Sequence, residues 1–358
     1  MSRFMLALAR AAASRRDVFA TFSISRSNEL YEDFAPIGVP ILPVDTFTSA
    51  PGALLRSYRI PGLRSKVLQF ARSERIDIIV NVMPHVWSSF VSRGFGNEGI
   101  RYAVIVHDAE RHPGDPTGFA NRLLLRDAMR ASRIVTLSRA VTDQLVGKGI
   151  DRTRISTLFL PDLNDIAGRA ARRRVPGDPL RVLFFGRIAP YKGLPLLVAA
   201  VEQLAAAGTP LVLGVYGEGD LGALRPRLAN LNATLRNRWI DDREISEIFQ
   251  QYDLVLVSHE EASQSGVVAL ALGHGLPVVA TPVGALTEQV IHGVNGLVAD
   301  AVSAEAIAAQ IARVACEPGL FDRLAENIVR QAPERSMARF LDRLIEALLP
   351  GPAGLATR

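Results

Sequence analysis

The 358-residue chain contains a single cysteine, Cys316. One thiol excludes any disulfide within the chain and fits a reducing compartment. Its place in a helical pattern near the end reads as a small buried filler. Lysine is nearly as scarce, with Lys66, Lys148 and Lys192 the only three among 41 basic residues. No apolar run approaches the ~20 residues that a helix needs to span a bilayer. The first residues lack a signal peptide's pattern, since Arg10, Arg15 and Arg16 follow the apolar stretch instead of preceding it. No zinc spacing, helix-turn-helix signal or aromatic-interleaved basic cluster is present, which leaves nucleic acid out as a partner.

One further absence concerns the start. A Rossmann-like domain opens on a buried strand and a glycine turn into its first helix. Here the helical pattern S-R-F-M-L-A-L-A-R-A-A-A begins at Ser2 with no strand before it. The first domain is therefore expected to lack its opening strand. Either translation starts upstream or the domain is rebuilt around the gap, and the pattern favours the first.

What is present is a soluble globular composition, 48% apolar and 22% charged, at a length that suits two domains. Residues 1–176 hold 26 Lys and Arg against 16 Asp and Glu, while residues 177–358 hold 15 against 20. A basic first half attracts an anionic membrane surface or an anionic acceptor, or is plain solvated surface. Short apolar runs alternate with helical patterns, as in a doubly wound α/β arrangement. The expected strands of the first half are Val18–Ser23, Val39–Val44, Ile76–Val82, Tyr102–His107, Ile134–Leu137 and Ile155–Phe159. Those of the second are Leu180–Phe185, Pro210–Tyr216, Asp253–Ser258 and Pro277–Thr281. The polar, proline-bearing stretch Asn164–Pro179 reads as an interdomain linker. The expected domains are residues 1–170 and 171–335, with 336–358 a helix packing back on the first domain, and a cleft between the two.

The motif with most chemistry is F-F-G-R-I-A-P-Y-K-G, Phe184 to Gly193. A buried strand ends at Gly186, Arg187 follows, and Lys192 precedes Gly193 and a helical run, Leu194–Ala206. Ligands of open parallel sheets lie outside the carboxyl ends of strands, near helix N-termini with free N–H groups. The two cations read as a phosphate-holding lip or as a solvated turn. Downstream, Tyr216-Gly217-Glu218-Gly219 closes a strand on a glycine turn that lets backbone approach a ligand. Arg238-Trp239-Ile240 precedes a helix, Asp241–Gln251. The loop from Glu260 through Glu261, Ala262, Ser263 and Gln264 turns at Ser265, Gly266 and Val267 into an apolar helix. Its N–H groups form a second anion site; the plainer reading is a helix cap by Ser263 or Ser265. Gly293-Val294-Asn295-Gly296 is a tight turn into a short strand.

In order and spacing, G-R…K-G, Y-G-E-G, S-Q-S-G-V-V-A-L-A-L-G-H-G-L-P-V-V-A-T-P-V-G and G-V-N-G-L-V resemble the donor domain of family-4 retaining glycosyltransferases. That family has the GT-B fold, two Rossmann-like domains flanking a cleft. The resemblance is strong over residues 180–300 and only general in the first half. It implies a nucleotide-diphosphate-sugar donor and a glycan or lipid-linked acceptor. By this carry-over Arg187 and Lys192 bind the diphosphate beside Gly186 and Gly217. Ser265, Gly266 and Val267 grip the distal phosphate through N–H groups, and backbone at Ile240, near Arg238, holds the base. No metal and no separate cofactor are implied. The family's Glu-x7-Glu pair is degenerate here: Leu270 holds the second place and Ala262 the first. Glu261 then stands in with a one-residue slip, and Gln264 and Ser265 are polar substitutes. A rival reading is a catalytically impaired relative acting as a binding or regulatory subunit; another is a sugar-nucleotide epimerase.

In the first half, Val106-His107-Asp108-Ala109-Glu110-Arg111-His112 follows a strand. The resemblance places His107 near sugar and acceptor, with Asp108 and His112 orienting it; a capped turn from Asp108 or Asp115 is the plainer alternative. His85, near Trp87, borders an acceptor pocket or packs in the core, and Glu288 is structural. The expected setting is cytoplasmic, at the inner face of the cell membrane.

Overall fold

The computed structural model describes residues 2–47, 49–83, 85–110, 118–175 and 177–349. These divide into two compact units. The first holds the described residues up to Phe159 together with those from Met337 onward, and the second holds Leu160–Ser336.

The first unit opens on the helix Ser2–Ala13, as its apolar pattern predicts, and no strand precedes it among the described residues. Its strands are β1 (Phe22–Ser25), β2 (Ile41–Val44), β3 (Ile78–Asn81), β4 (Arg101–Val106), β5 (Arg133–Thr136) and β6 (Ile155–Thr157). They form two parallel sheets, β1-β2 and β3-β4-β5-β6, instead of one. β1 begins four residues later than the apolar run at Val18 suggests, and Phe19 is exposed. The centre of the larger sheet is β4 and β5, where Val104, Ile105, Ile134 and Val135 are fully buried. Helix Gly118–Arg130 is fastened to it through buried Asp127, which accepts from the Tyr102 hydroxyl at 2.6 Å, Ser92 Oγ at 2.7 Å and Asn81 Nδ2 at 3.0 Å. The last helix, Met337–Leu348, closes this unit by packing on Ser2–Ala13, with the Phe4 and Phe340 rings 5.4 Å apart.

The second unit carries β7 (Leu180–Phe185), β8 (Leu211–Tyr216), β9 (Thr234–Arg236), β10 (Leu254–Val257), β11 (Val278–Ala280) and β12 (Gly296–Val298). All are parallel, in the order β12-β11-β10-β7-β8-β9. Strand alternation explains the burial on both faces. Leu180, Val182 and Phe184 of β7 point into a layer with helices Leu194–Ala206 and Ala304–Cys316. Leu183 points the other way, into a layer with Ile245, Phe249, Leu272 and Leu276.

Three expectations need correcting. The second unit starts at Leu160, not 171, and Asn164–Pro179 is no loose linker. That stretch lies along the second unit, where Arg172 donates to the Tyr252 carbonyl at 2.6 Å and Arg173 pairs with Glu326 at 2.7 Å. Arginine-rich composition reads as solvated, but the guanidinium groups of Arg172, Arg173 and Arg174 find acceptors on the unit they cross. The helix foreseen at Asp241–Gln251 shortens to Ile245–Gln250, because Asp241 spends its side chain on an Asx-type turn with Arg243 N at 2.8 Å. Cys316 is exposed at the end of its helix, not a buried filler.

Candidate functional site

The strand order places the topological switch point of the second unit between β7 and β10. The chain runs from β7 out to β8 and β9, then returns to β10 on the other flank. Ligands of such sheets sit beyond the carboxyl ends at that point. The segments following β7 and β10 are the ones singled out by the motifs.

After β7 the backbone turns at Gly186, whose φ of 110° suits glycine. Three chain segments meet there. A Cβ on Gly186 would stand 3.5 Å from Val267 Cγ2, and a Cβ on Gly217 would stand 1.8 Å from the Gly186 carbonyl oxygen. The turn after β7, the turn after β8 and the start of the helix Gly266–Gly273 thus share one small volume. Arg187 is exposed beside it. Lys192, half-buried, ends the 3-10 turn Pro190–Lys192.

The Lys192 segment is stitched to the end of β10. Ser258 Oγ donates to the Lys192 carbonyl at 3.0 Å, and Glu260 N donates to the Tyr191 carbonyl at 2.8 Å. Gly193, with φ of 64°, makes the close approach possible, since a Cβ there would lie 1.9 Å from the Ser258 carbonyl oxygen. The Lys192 ammonium lies 5.0 Å from the Tyr191 ring centroid and 3.1 Å from Nε2 of His259. His259 is buried, at 3% exposure.

Of the three N–H groups assigned to the distal phosphate, that of Ser265 is already engaged. It donates to Gln289 Oε1 at 2.7 Å, and Gln289 Nε2 returns a bond to the Ser265 carbonyl at 3.1 Å. Gly266 and Val267 supply the first-turn N–H groups, which have no acceptor within their own helix. Ser265 takes the cap position, but its buried hydroxyl makes no capping bond and has no hydrogen-bond partner. Gln264 is half-buried, and Glu261 is exposed on the same loop. That loop is pinned at Ala262, whose carbonyl accepts from Ala285 N at 3.2 Å. Leu270 is buried in the apolar layer, so no carboxylate stands at its place. Ile240 is buried next to exposed Trp239. Arg238 is held by Glu244 at 2.6 Å, a contact that keeps the Glu244 carboxyl well below the usual range, at about 2.

In the first unit, His107 follows β4 and is buried; its Nε2 lies 2.8 Å from the Val82 carbonyl, to which it donates. Burial holds it below the ordinary imidazole value, so the ring is neutral at pH 7. Asp108 is exposed, while His112 and Asp115 lie outside the described residues. His85 sits in an aromatic cluster, 4.5 Å from the Phe47 ring, and accepts from Trp87 N at 3.2 Å. Glu288 lies in the short helix Leu286–Gln289, exposed.

Sequence reasoning missed His259 and Gln289. His259 stands two residues beyond the end of β10, and its position at a strand's carboxyl end is the signal that could have found it. Gln289 lies 24 residues from Ser265, and no local pattern announces their pairing. Chemically, the arrangement offers two cations and two backbone N–H groups around a glycine-lined space, a setting for a polyanion.

Comparison with known proteins bears on family and fold. Residues 179–317 match the family described as Glycosyl transferases group 1, and residues 1–159 match the Glycosyl transferase 4-like domain. A D-inositol 3-phosphate glycosyltransferase of Thermomonospora curvata is 32% identical over 250 residues, 64% of this chain and 57% of that protein. Its counterpart in Xylanimonas cellulosilytica is 28% identical over 273 residues, 69% of this chain and 65% of that protein. The chain thus spans less than two thirds of the length of either relative. Among solved structures, HepE of Anabaena in complex with UDP-glucose superposes with a TM-score of 0.71 at 19% identity, covering 97% of this chain and 95% of that one. Sucrose-phosphate synthase of Thermosynechococcus elongatus gives 0.67 at 17% identity, covering 96% and 92%. At these identities the superpositions establish the fold. With one match in each half of a two-domain GT-B fold, the chain carries a glycosyl transferase 4-like domain followed by a domain of the glycosyl transferases group 1 family.

Proposed function

We propose that this protein is a glycosyltransferase that moves a sugar from a nucleotide-diphosphate-sugar to a glycan or glycolipid hydroxyl with retention of anomeric configuration. The observation that carries the reading is the convergence of Gly186, Gly217 and Val267 at the switch point, with Arg187 and Lys192 on the turn that follows. That HepE was crystallised with UDP-glucose supports a donor of this class. The curated relatives bear the names of enzymes, which favours catalysis over a regulatory subunit.

In this reading the C1–O bond to the diphosphate breaks and the acceptor oxygen bonds to C1 on the same face. The acceptor proton passes to the departing diphosphate. Arg187, Lys192 and the N–H groups of Gly266 and Val267 take up the charge that grows on the leaving group. Glu261 and Gln264 reach toward the sugar from their loop, and Ile240 offers backbone to the base. His107, its Nε2–H spent on Val82, acts by holding the end of β4 in place beside the acceptor. No metal and no cofactor other than the donor take part. Purified protein is screened for transfer from nucleotide sugars, with the product's anomeric configuration read by NMR. Arg187→Ala and Lys192→Ala are expected to lose ~100-fold or more in turnover while unfolding at the native temperature. Near-native turnover in both variants sinks the assignment.

One specific surface supports an acceptor side that works at an anionic membrane face. Leu54, Leu55 and Tyr58 are 78%, 74% and 73% exposed within five residues of chain. Between Asp45 and Glu74 the sequence holds Arg56, Arg59, Arg64, Lys66 and Arg72 and no acidic residue. Apolar side chains rimmed by cations suit the boundary of an anionic bilayer. The chain is expected to sediment with phosphatidylglycerol vesicles and not with phosphatidylcholine ones. Substituting Leu54, Leu55 and Tyr58 by Ser should abolish that sedimentation, and unchanged binding would refute the placement.

A further inference from the structure

Lys192 is the one lysine among the 16 basic residues of Leu160–Ser336. A lysine stem is flexible, and its ammonium is a point charge that holds no fixed direction unaided. Here that direction is set by a second side chain, and we infer that buried His259 is a positioning residue that aims Lys192 at the diphosphate. The inference rests on the clamp reading above and adds a residue to it.

The geometry supports this in three ways. The contact between Lys192 Nζ and His259 Nε2 is 3.1 Å, a hydrogen bond in which the ammonium, having protons and no lone pair, must donate. The imidazole therefore accepts at Nε2 and carries its single proton on Nδ1, so it is neutral when the bond exists. The ring has little freedom to do anything else. It is 3% exposed, its centroid is 6.2 Å from the Tyr191 ring, and its own carbonyl is held by Thr281 Oγ1. The backbones on both sides are tied together as well, Glu260 N to the Tyr191 carbonyl and Ser258 Oγ to the Lys192 carbonyl. Lysine and histidine are thus carried on one stitched frame, from the turn after β7 and the end of β10.

The chemical consequence follows from counting donors. An ammonium has three N–H bonds. His259 takes one, which ties the ammonium to the end of β10 and restricts the rotation of its stem. For a diphosphate this is pre-organisation: the stem's rotamer entropy is spent on folding and not on binding. A thioether in place of the imidazole would leave the charge but lose the aim.

The test uses inorganic pyrophosphate as the probe, titrated calorimetrically into the full chain. Native protein is expected to bind it, and Lys192→Met to bind it ~10-fold more weakly. His259→Met should weaken binding about fivefold with an unchanged unfolding temperature, and His259→Gln, whose amide oxygen can accept from Lys192, should bind within twofold of native. In the Lys192→Met background, His259→Met should have no further effect. Native-like binding by His259→Met overturns the inference and leaves the clamp intact. So does an equal loss with and without Lys192. Failure of the native chain to bind pyrophosphate overturns the clamp reading itself and this inference with it.

Discussion

At the scale of single residues, glycines decide how close the site's segments can come. Gly217, with φ of 152°, has the Gly186 carbonyl oxygen where a Cβ would be, at 1.8 Å. Backbone cannot yield there without parting the turns after β7 and β8. Gly217→Ala is expected to cost ~3 kcal/mol or more in denaturant unfolding. Gly266 has nothing within 4 Å of a Cβ and lies in a helix. Gly266→Ala should leave stability unchanged or raise it by ~0.5 kcal/mol through helix propensity. Equal losses at the two positions would show that close approach is not what Gly217 provides. Gly186, Arg187 and Lys192 could be picked out in the sequence because the turn and its charges are contiguous, and Gly217 because it directly follows an apolar run. The Lys192–His259 bond joins residues 67 apart, and nothing local records it.

At the scale of elements, strands were easy to see and their neighbours were not. β7 and β10 read as apolar runs, yet their pairing comes from Asp253, a polar residue at the lip of β10. Its carboxylate accepts from Arg181 N at 3.0 Å and from Arg181 Nη2 at 2.6 Å, locking the amino ends of both strands. The Asp253 side chain is 7% exposed. Asp253→Ala is expected to cost ~2 kcal/mol, since the Arg181 N–H and its half-exposed guanidinium lose a buried, charged acceptor. Glu346, paired with Arg343 on the surface, should cost under ~0.5 kcal/mol when replaced by Ala. Chemical denaturation of both variants decides it, and an equal small loss would make Asp253 ordinary surface. The same logic explains the misread stretch at Asn164–Pro179. Composition recognises an irregular segment, but whether Arg172 faces water depends on carbonyls 77 and 80 positions away.

At the scale of the whole molecule, the chain leaves the first unit after Phe159 and returns to it at Met337. Just inside the second unit, both passages are tied: Asp162 N donates to the Arg335 carbonyl at 2.8 Å, and the two side chains pair at 3.1 Å. Burial pushes the Asp162 carboxyl up from 3.8 to about 6, with Arg335 offsetting only part of that rise. Below about pH 6 the neutral acid is then the favoured folded form. Stability from this group is full below pH about 4 and declines as pH rises through about 6, by on the order of 3 kcal/mol. Asp162→Asn should flatten that segment of the stability–pH curve in thermal unfolding. A native slope retained in the variant would assign it to another group. Two domains and their order were legible from the alternation of runs. The tie was not, because its halves stand 173 positions apart.

The divided sheet of the first unit has a consequence of another kind. Among the described residues, β1 ladders only with β2 and β3 only with β4, so each leaves one flank with no strand beside it. β3 carries Ile78, Ile79 and Val80, all only half-buried, a sequence suited to the interior of a sheet and not to its rim. Such a rim is adhesive. It templates any extended backbone that meets it, including its own image on another copy, and makes crowding, slow refolding and high concentration the conditions under which this chain is lost to aggregation.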